Sequence, residues 1–210
     1  MIAIIDYKMG NVRSVAKALE AIGAKVQVTS SASKLRKAKA LVLPGVGAFS
    51  AGMSNLRKMK LIPEIEKAVN EGKPFLGICL GLQLLFTMSE EHGRHKGLNL
   101  IPGEVVRFKS NLKIPHMGWN TITKVPSSKP QVTSGLLNNI PDGSYFYFVH
   151  SYYVKPKNKD VILAASDYGR KFTAVIGKGN IYGIQFHPEK SSDLGLKILN
   201  NFCEIAGEIK

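Results

Sequence analysis

Cysteine is scarce: only Cys79 and Cys203, far apart, occur in a chain of 210 residues. Two distant thiols cannot staple a chain of this length, which excludes a disulfide framework. A reducing cytoplasm is the expected setting, and it keeps a thiol reactive. No apolar run approaches the roughly 20 residues that span a bilayer, so no membrane segment is expected. The opening residues, Met1-Ile2-Ala3-Ile4-Ile5-Asp6, lack a basic leader and a small-residue cleavage site, and no signal peptide is expected. Acid is in deficit as well: 15 Asp and Glu stand against 29 Lys and Arg, a net charge of +14. The basic residues are scattered, as in Lys34-Leu35-Arg36-Lys37-Ala38-Lys39 and Arg57-Lys58-Met59-Lys60. No stacking aromatics are interleaved with them as an RNA-binding sheet requires. Nucleic acid is therefore set aside as the main partner, in favour of an acidic protein or simple solubility. With no repeat, low-complexity tract or interdomain linker, one domain over residues 1–210 is expected.

What is present is alternation. Residues 2–6 read as a short buried strand. Asn11 can cap a helix whose apolar positions Val12, Val15, Ala16, Leu19 and Ile22 keep helical spacing, and Gly23 ends it. Residues 25–28 and 40–43 are further strands, the second closed by Pro44. Residues 62–70 are helical, with Ile62, Ile65, Ala68 and Val69 on one face. A strand at 75–78 and a helix over 80–86 follow. Strands alternating with helices predict a parallel sheet covered on both faces. The second half is richer in strands, expected at 105–108, 145–154, 161–165, 172–176 and 181–186. Ser192-Asp193 can cap a last helix through Leu196, Ile198, Leu199 and Phe202. Surface loops are expected at 127–130 and 155–159. In open α/β sheets chemistry collects at the carboxyl ends of strands. Three segments lie there: Pro44-Gly45-Val46-Gly47, Cys79, and His187-Pro188-Glu189.

Cys79 stands in Gly77-Ile78-Cys79-Leu80-Gly81-Leu82-Gln83, after a strand, before a helix and between two glycines. That is the pattern of a nucleophile elbow, a sharp turn presenting one side chain above a sheet. A side chain at either glycine would crowd the turn. The helix from Leu80 aims backbone N–H groups at the sulfur, which suits a nucleophile. A buried structural thiol fits the same segment, and the segment alone leaves both open. A nucleophile needs a base, and the base an orienter. Among five histidines, His187 is best placed, at the end of an apolar strand stopped by Pro188. Glu189 lies two residues on, and side chains two apart point the same way along an extended chain. An isolated His-x-Glu fits a strand-end imidazole beside a solvated acid equally well. Joined to the elbow cysteine, it predicts a Cys79-His187-Glu189 triad. Acyl transfer also needs donors for an oxyanion. The N–H of Leu80 is one, and the turn at Val46 and Gly47 is a candidate for the second, although that turn alone also reads as an ordinary connection. His92 and His95 sit in a polar loop without the spacing of a metal site. Cys203 falls on the apolar face of the last helix. Asp6 either caps its loop or touches a partner.

The elbow at 77–83 and Phe186-His187-Pro188-Glu189 resemble the triad-type, class I glutamine amidotransferases. The remaining motifs resemble one branch of that family, the glutaminase subunits of imidazole glycerol phosphate synthase. They are Asp6-Tyr7-Lys8-Met9-Gly10-Asn11, Pro44-Gly45-Val46-Gly47-Ala48-Phe49, His116-Met117-Gly118-Trp119-Asn120, Phe148-Val149-His150-Ser151-Tyr152 and, after Glu189, Lys190-Ser191-Ser192. Together they run from the first strand to the last. The resemblance implies an α/β, flavodoxin-like fold: a mostly parallel central sheet flanked by helices, with additional antiparallel strands in the C-terminal half. It implies that Cys79 attacks the carboxamide of glutamine, His187 moves the proton and Glu189 orients His187. Val46, Gly47 and Leu80 would form the oxyanion hole, and Gln83, Glu91, Ser151 and Tyr152 would grip the amino and carboxylate ends of glutamine. Ammonia would pass to a (β/α)8-barrel cyclase subunit, making imidazole glycerol phosphate in histidine biosynthesis. Asn11, Trp119, Tyr147 and Lys190 match positions near that interface. No metal or organic cofactor is implied. One departure is Lys8, where the family often has Gly; a positive φ there would strain a lysine.

Three rivals remain. Amidotransferase subunits feeding pyridoxal phosphate synthase or anthranilate synthase usually carry Pro-Gly-Gly at the turn. A cysteine peptidase or γ-glutamyl hydrolase on the same fold would be active alone. A non-catalytic subunit would have no need of Cys79, His187 and Glu189.

Overall fold

The computed structural model describes residues 1–109, 111–126 and 134–209. The loop expected at 127–130 falls outside them. Strands β1 (Ile2–Ile5), β2 (Val26–Thr29), β3 (Ala40–Gly45) and β4 (Phe75–Cys79) alternate with helices α1 (Val12–Ala21), α2 (Ala32–Lys37), α3 (Phe49–Lys58) and α4 (Ile62–Asn70). After the short helix α5 (Leu80–Leu84) come nine strands. They are β5 (Phe86–Ser89), β6 (His95–Lys96), β7 (Ile101–Arg107), β8 (His116–Lys124), β9 (Ser144–His150), β10 (Tyr152–Pro156), β11 (Ile162–Asp167), β12 (Lys171–Lys178) and β13 (Ile181–Ile184). Helix α6 (Ser192–Ile205) closes the chain.

The main sheet has nine strands in the order β2-β1-β3-β4-β13-β12-β11-β8-β9. Its first five strands pair in parallel, and the rest are antiparallel. A four-stranded sheet, β10-β7-β5-β6, stands beside it. The parallel strands β1, β3 and β4 are buried along their whole length, because helices cover both faces. Alternation divides their side chains between two cores. Ile2, Ile4, Val42 and Ile78 meet Val15 and Leu19 of α1 and Ile198 and Phe202 of α6. Ala3, Ile5, Leu41 and Leu43 meet Leu35, Met53, Leu56 and Ile65 of α2, α3 and α4. Asn11 caps α1 as expected, its Oδ1 accepting from the Ser14 N–H at 3.2 Å. Among the described residues no helix is long and apolar enough to cross a membrane.

Four local expectations are corrected. The strand expected over 145–154 is two strands in two sheets: β9 edges the main sheet, and β10 pairs with β7. The chain changes sheet at Ser151, whose carbonyl accepts from Phe108 N–H at 3.1 Å. The helix expected over 80–86 stops at Leu84, because the carbonyls of Leu84, Leu85 and Phe86 accept from backbone N–H groups of residues 98–101 instead. Phe86 thereby opens β5. Strand β8 was not anticipated at all; Gly118 interrupts its apolar pattern. The cap of α6 is Ser191 and not Ser192, which sits at φ +51°.

Candidate active site

The parallel strands β3, β4 and β13 end at one edge, and the site is assembled there. Cys79 closes β4 with φ 53° and ψ −106°, a conformation that L-residues avoid. Such a backbone costs about 1–3 kcal/mol and persists only where its surroundings over-determine it. Here two glycines do so. A Cβ on Gly77 would lie 2.7 Å from the backbone of Gly81, and one on Gly81 only 1.7 Å from the Leu43 carbonyl oxygen. Helix α5 can therefore lie flat against β3 and β4 and point the elbow out of the sheet. Leu80 is its first residue, and an N–H in the first turn has no intrahelical acceptor.

The Cys79 sulfur is nearly buried, 3.9 Å from the Val149 carbonyl oxygen and 3.8 Å from the Gln185 side-chain amide. His187 follows β13 and comes up beside the sulfur. Its Nδ1 meets Glu189 Oε1 at 2.9 Å, with both side chains almost wholly buried. Its Nε2 is buried without an oxygen or nitrogen partner among the described residues, and is the nitrogen left for the sulfur. Burial alone would lower the imidazole pKa; contact with Cys79 and with Glu189 outweighs it and raises the value to about 10. Sulfur, imidazole and carboxylate thus stand in the order expected. Ser191 fixes the loop that carries them. Its hydroxyl donates to the His187 carbonyl at 2.6 Å and accepts from Tyr147 N–H at 3.0 Å. The His187 N–H in turn donates to the Tyr147 carbonyl at 2.9 Å.

A cavity of about 330 Å³ opens beside Cys79, lined by Val46, Gly47, Leu80, Gln83, Glu91, Ser151 and Tyr152 among others. Every residue expected in the oxyanion hole or in the substrate grip is on its wall. Gly47 takes φ +99°, which favours glycine. The Gln83 amide donates to the Tyr152 carbonyl at 3.0 Å and faces Gln185 Oε1 at 3.4 Å. Glu91 reaches the start of α3, one carboxylate oxygen accepting from Phe49 N–H at 2.6 Å. Of the expected interface residues, Trp119, Tyr147 and Lys190 form one surface cluster. Trp119 packs edge-on to Tyr147, with centroids 6.3 Å apart, and Lys190 Nζ lies 5.7 Å from the Tyr147 ring centre. Trp119 and Met117 are more than half exposed there. Asn11 is occupied as the α1 cap, and α1 packs on the Pro188–Lys190 turn. Asp6 binds Lys8, through the backbone N–H at 3.0 Å and Nζ at 3.3 Å. Lys8 takes φ +64°, so the loop does use the conformation that strains a lysine. Cys203 is wholly buried, and burial pushes its thiol up to about 12. His92 lies in a surface turn, whereas His95, expected in the same loop, opens the two-residue strand β6 and pairs with Ser89.

Several site residues escaped the sequence. Gln185 was readable, since a polar residue in an apolar strand, two before His187, shares its face. The pair His116 and His150 was not. Asn120 Nδ2 donates to His116 Nε2 at 3.2 Å, and His116 Nδ1–H then reaches His150 Nε2 at 3.1 Å. His150 Nδ1–H ends the chain on the Tyr152 carbonyl at 2.8 Å. Burial pushes His116 down to about 4 and His150 to about 3, so both rings are neutral donors and acceptors at pH 7. The relay holds the same carbonyl that anchors Gln83.

An elbow thiol, a buried imidazole and a carboxylate on an open α/β sheet are the equipment of a cysteine-dependent amide-cleaving enzyme. Residues 3–206 match the family Glutamine amidotransferase class-I. The imidazole glycerol phosphate synthase subunit HisH of Desulfitobacterium hafniense (strain DSM 10664 / DCB-2) is 52% identical over 208 residues, spanning 99% of this chain and 96% of that protein. The subunit of the same description from Aquifex aeolicus (strain VF5) is 48% identical over 200 residues, 95% and 94% of the two chains. A crystal structure of a glutamine amidotransferase superposes with TM-score 0.76 over 98% of each chain at 20% identity. The structure of PurLQS from Thermotoga maritima gives 0.74 over 97% of each, also at 20%. The chain belongs to the class-I glutamine amidotransferase family and, within it, to the HisH subunits of imidazole glycerol phosphate synthase.

Proposed function

We propose that this chain, as a single cytoplasmic amidotransferase domain, hydrolyses glutamine at Cys79 and hands the ammonia to a (β/α)8-barrel cyclase subunit. The sulfur attacks the glutamine carboxamide carbon, and the C–N bond breaks as His187 protonates the departing ammonia. Glu189 holds the imidazole in orientation throughout. Water, deprotonated by His187, then cleaves the glutamyl thioester and releases glutamate. The Leu80 N–H and the turn at Val46 and Gly47 stabilise the oxyanion in both steps. Gln83, Glu91, Ser151 and Tyr152 bind the amino and carboxylate ends of glutamine. A cavity of about 330 Å³ suits a single amino acid. The cyclase subunit docks on the Trp119, Tyr147 and Lys190 cluster and uses the ammonia to make imidazole glycerol phosphate and aminoimidazole carboxamide ribonucleotide.

The observation that carries this reading is the buried His187 set between the Cys79 sulfur and Glu189 Oε1. A glutaminase assay with and without the cyclase subunit and its nucleotide substrate tests it. Slow hydrolysis by the isolated chain and a clear rise in the full complex are expected, as for gating by a conformational step. Fast hydrolysis by the chain alone would point instead to a free-standing hydrolase.

A second expectation follows from the imidazole. Because its pKa is raised to about 10, His187 stays protonated through neutral pH, and the alkaline limb of kcat/KM should fall well above pH 8. Glu189→Gln removes one of the groups that raise it. The limb should then move to lower pH, and kcat should drop by about 10²- to 10⁴-fold. An alkaline limb unmoved in Glu189→Gln would show that the carboxylate does not set the imidazole.

A further inference from the structure

Tyr7 lies just after β1, in the loop that carries Asn11, and its side chain is wholly buried. Its hydroxyl has no hydrogen-bond partner among the described residues. Buried hydroxyls are nearly always paired, and an unpaired one has lost its water for nothing. A phenylalanine would fill the same space without that loss. The hydroxyl lies against the turn at Gly45. A Cβ built on Gly45 would stand 2.2 Å from the Tyr7 oxygen and 3.0 Å from Leu80 Cβ. The phenol therefore fills the place that a side chain at 45 would take, wedged between the 45–47 turn and the residue that follows Cys79. The same loop presses on the turn a second time, since a Cβ on Gly10 would lie 2.9 Å from Gly45 Cα. Burial and the Cys79 sulfur both raise the phenol pKa, which keeps the hydroxyl a donor at any working pH.

We propose that Tyr7 is a positioning residue for the oxyanion turn: its hydroxyl receives the Gly45 carbonyl when the Gly45-Val46 peptide turns its N–H toward the oxyanion. A peptide carries its C=O and N–H on opposite edges. Turning the Val46 N–H toward the substrate swings the Gly45 carbonyl away from it, and the swung carbonyl needs a new donor. Tyr7 supplies one beside Gly45 Cα that is idle in the present conformation. Glycine at 45 leaves room for both the phenol and the rotation. The waiting hydroxyl then favours the active turn by one hydrogen bond and contributes nothing to the resting one.

This inference rests on the glutaminase reading above, and the experiment separates the two. Wild-type, Tyr7→Phe and Cys79→Ala chains are each assembled with the cyclase subunit and assayed for glutaminase activity with its nucleotide substrate saturating. Tyr7→Phe is expected to lower kcat about tenfold, the worth of one hydrogen bond, with KM for glutamine within about twofold of wild type. Its melting temperature should be unchanged or higher, since no resting-state bond is lost. A wild-type kcat would overturn the proposal. So would a raised KM at unchanged kcat, or a lowered melting temperature, which would reveal a bond already made in the resting state. Activity surviving in Cys79→Ala would overturn the glutaminase reading itself. Inactive Cys79→Ala beside fully active Tyr7→Phe would remove only the role assigned to Tyr7.

Discussion

Cys79→Ala, assembled with the cyclase subunit, is expected to lose glutamine-dependent turnover by about 10⁴-fold or more, because removing the nucleophile of a catalytic unit costs nearly its whole acceleration. Ammonia-dependent cyclase turnover should persist in the same preparation. The thiol sits on the elbow of this chain, beside the His187 imidazole, the Val149 carbonyl and the Gln185 amide, so its removal leaves the partner's own residues in place. The fold should survive, since the 79 backbone is held by Gly77 and Gly81 and not by the sulfur. Parallel assays with glutamine and with ammonium salts check the result. Loss of both activities would mean that Cys79 serves more than glutamine hydrolysis.

The second large effect concerns the turn that carries the thiol. Gly81→Ala places a methyl 1.7 Å from the Leu43 carbonyl oxygen and 2.8 Å from its carbon. Both belong to the backbone of β3, a central strand that cannot retreat. Overpacking against backbone costs about 3 kcal/mol or more, and in a chain of this size that lowers the melting temperature by roughly 6–12 °C. The part of α5 that stays folded must lift from the sheet, carrying Leu80 and Cys79 with it, so glutaminase activity should fall together with stability. Gly135→Ala is the control. Among the described residues its Cβ would meet only Ile205 side-chain atoms, at 3.4 and 3.5 Å. That is ordinary contact, and a change within about 0.5 kcal/mol is expected. Thermal melting of both variants decides the matter. Equal melting temperatures would show that α5 does not depend on its close approach to β3.

The elbow was legible because its determinants are local. A glycine on each side of Cys79, an apolar strand before it and helical spacing after it all lie within about ten residues, the range over which periodicity is informative. The same holds for His187-Pro188-Glu189, where the proline and the two-residue spacing are properties of one short segment. Helix α4 came out with its expected bounds, 62–70, for the same reason. What escaped depends on contacts between distant segments. Residues 145–154 form one run rich in aromatic residues, and the change of sheet at Ser151 is set by pairing with β7, a contact distant in sequence. The helix after Cys79 is cut short because N–H groups of residues 98–101 donate to the carbonyls of Leu84, Leu85 and Phe86. The neutral relay through His116 and His150 joins β8 to β9, and the sequence offers two unconnected histidines. Tyr7 is the extreme case. Its position reads as one more apolar residue after a strand, and only the packing of the 6–11 loop on Gly45 gives its hydroxyl a meaning.

Two links between surface and site stand out in the loop after β13. The Tyr147 side chain belongs to the exposed cluster with Trp119 and Lys190, while its backbone binds both His187 N–H and the Ser191 hydroxyl. Lys190 is one residue from Glu189. Any partner that presses on this cluster therefore presses on the segment holding the imidazole, and it does so through bonds of 2.9–3.0 Å.

Cys79, and not the buried Cys203, is the residue expected to attack the glutamine carboxamide. Covalent labelling of the assembled complex with an electrophilic glutamine analogue, followed by peptide mass mapping, decides between the two thiols. One adduct is expected, on the peptide containing Cys79, suppressed by excess glutamine and absent in Cys79→Ala. Labelling of Cys203, or labelling of Cys79 that glutamine does not suppress, would show that Cys79 is not the glutamine nucleophile.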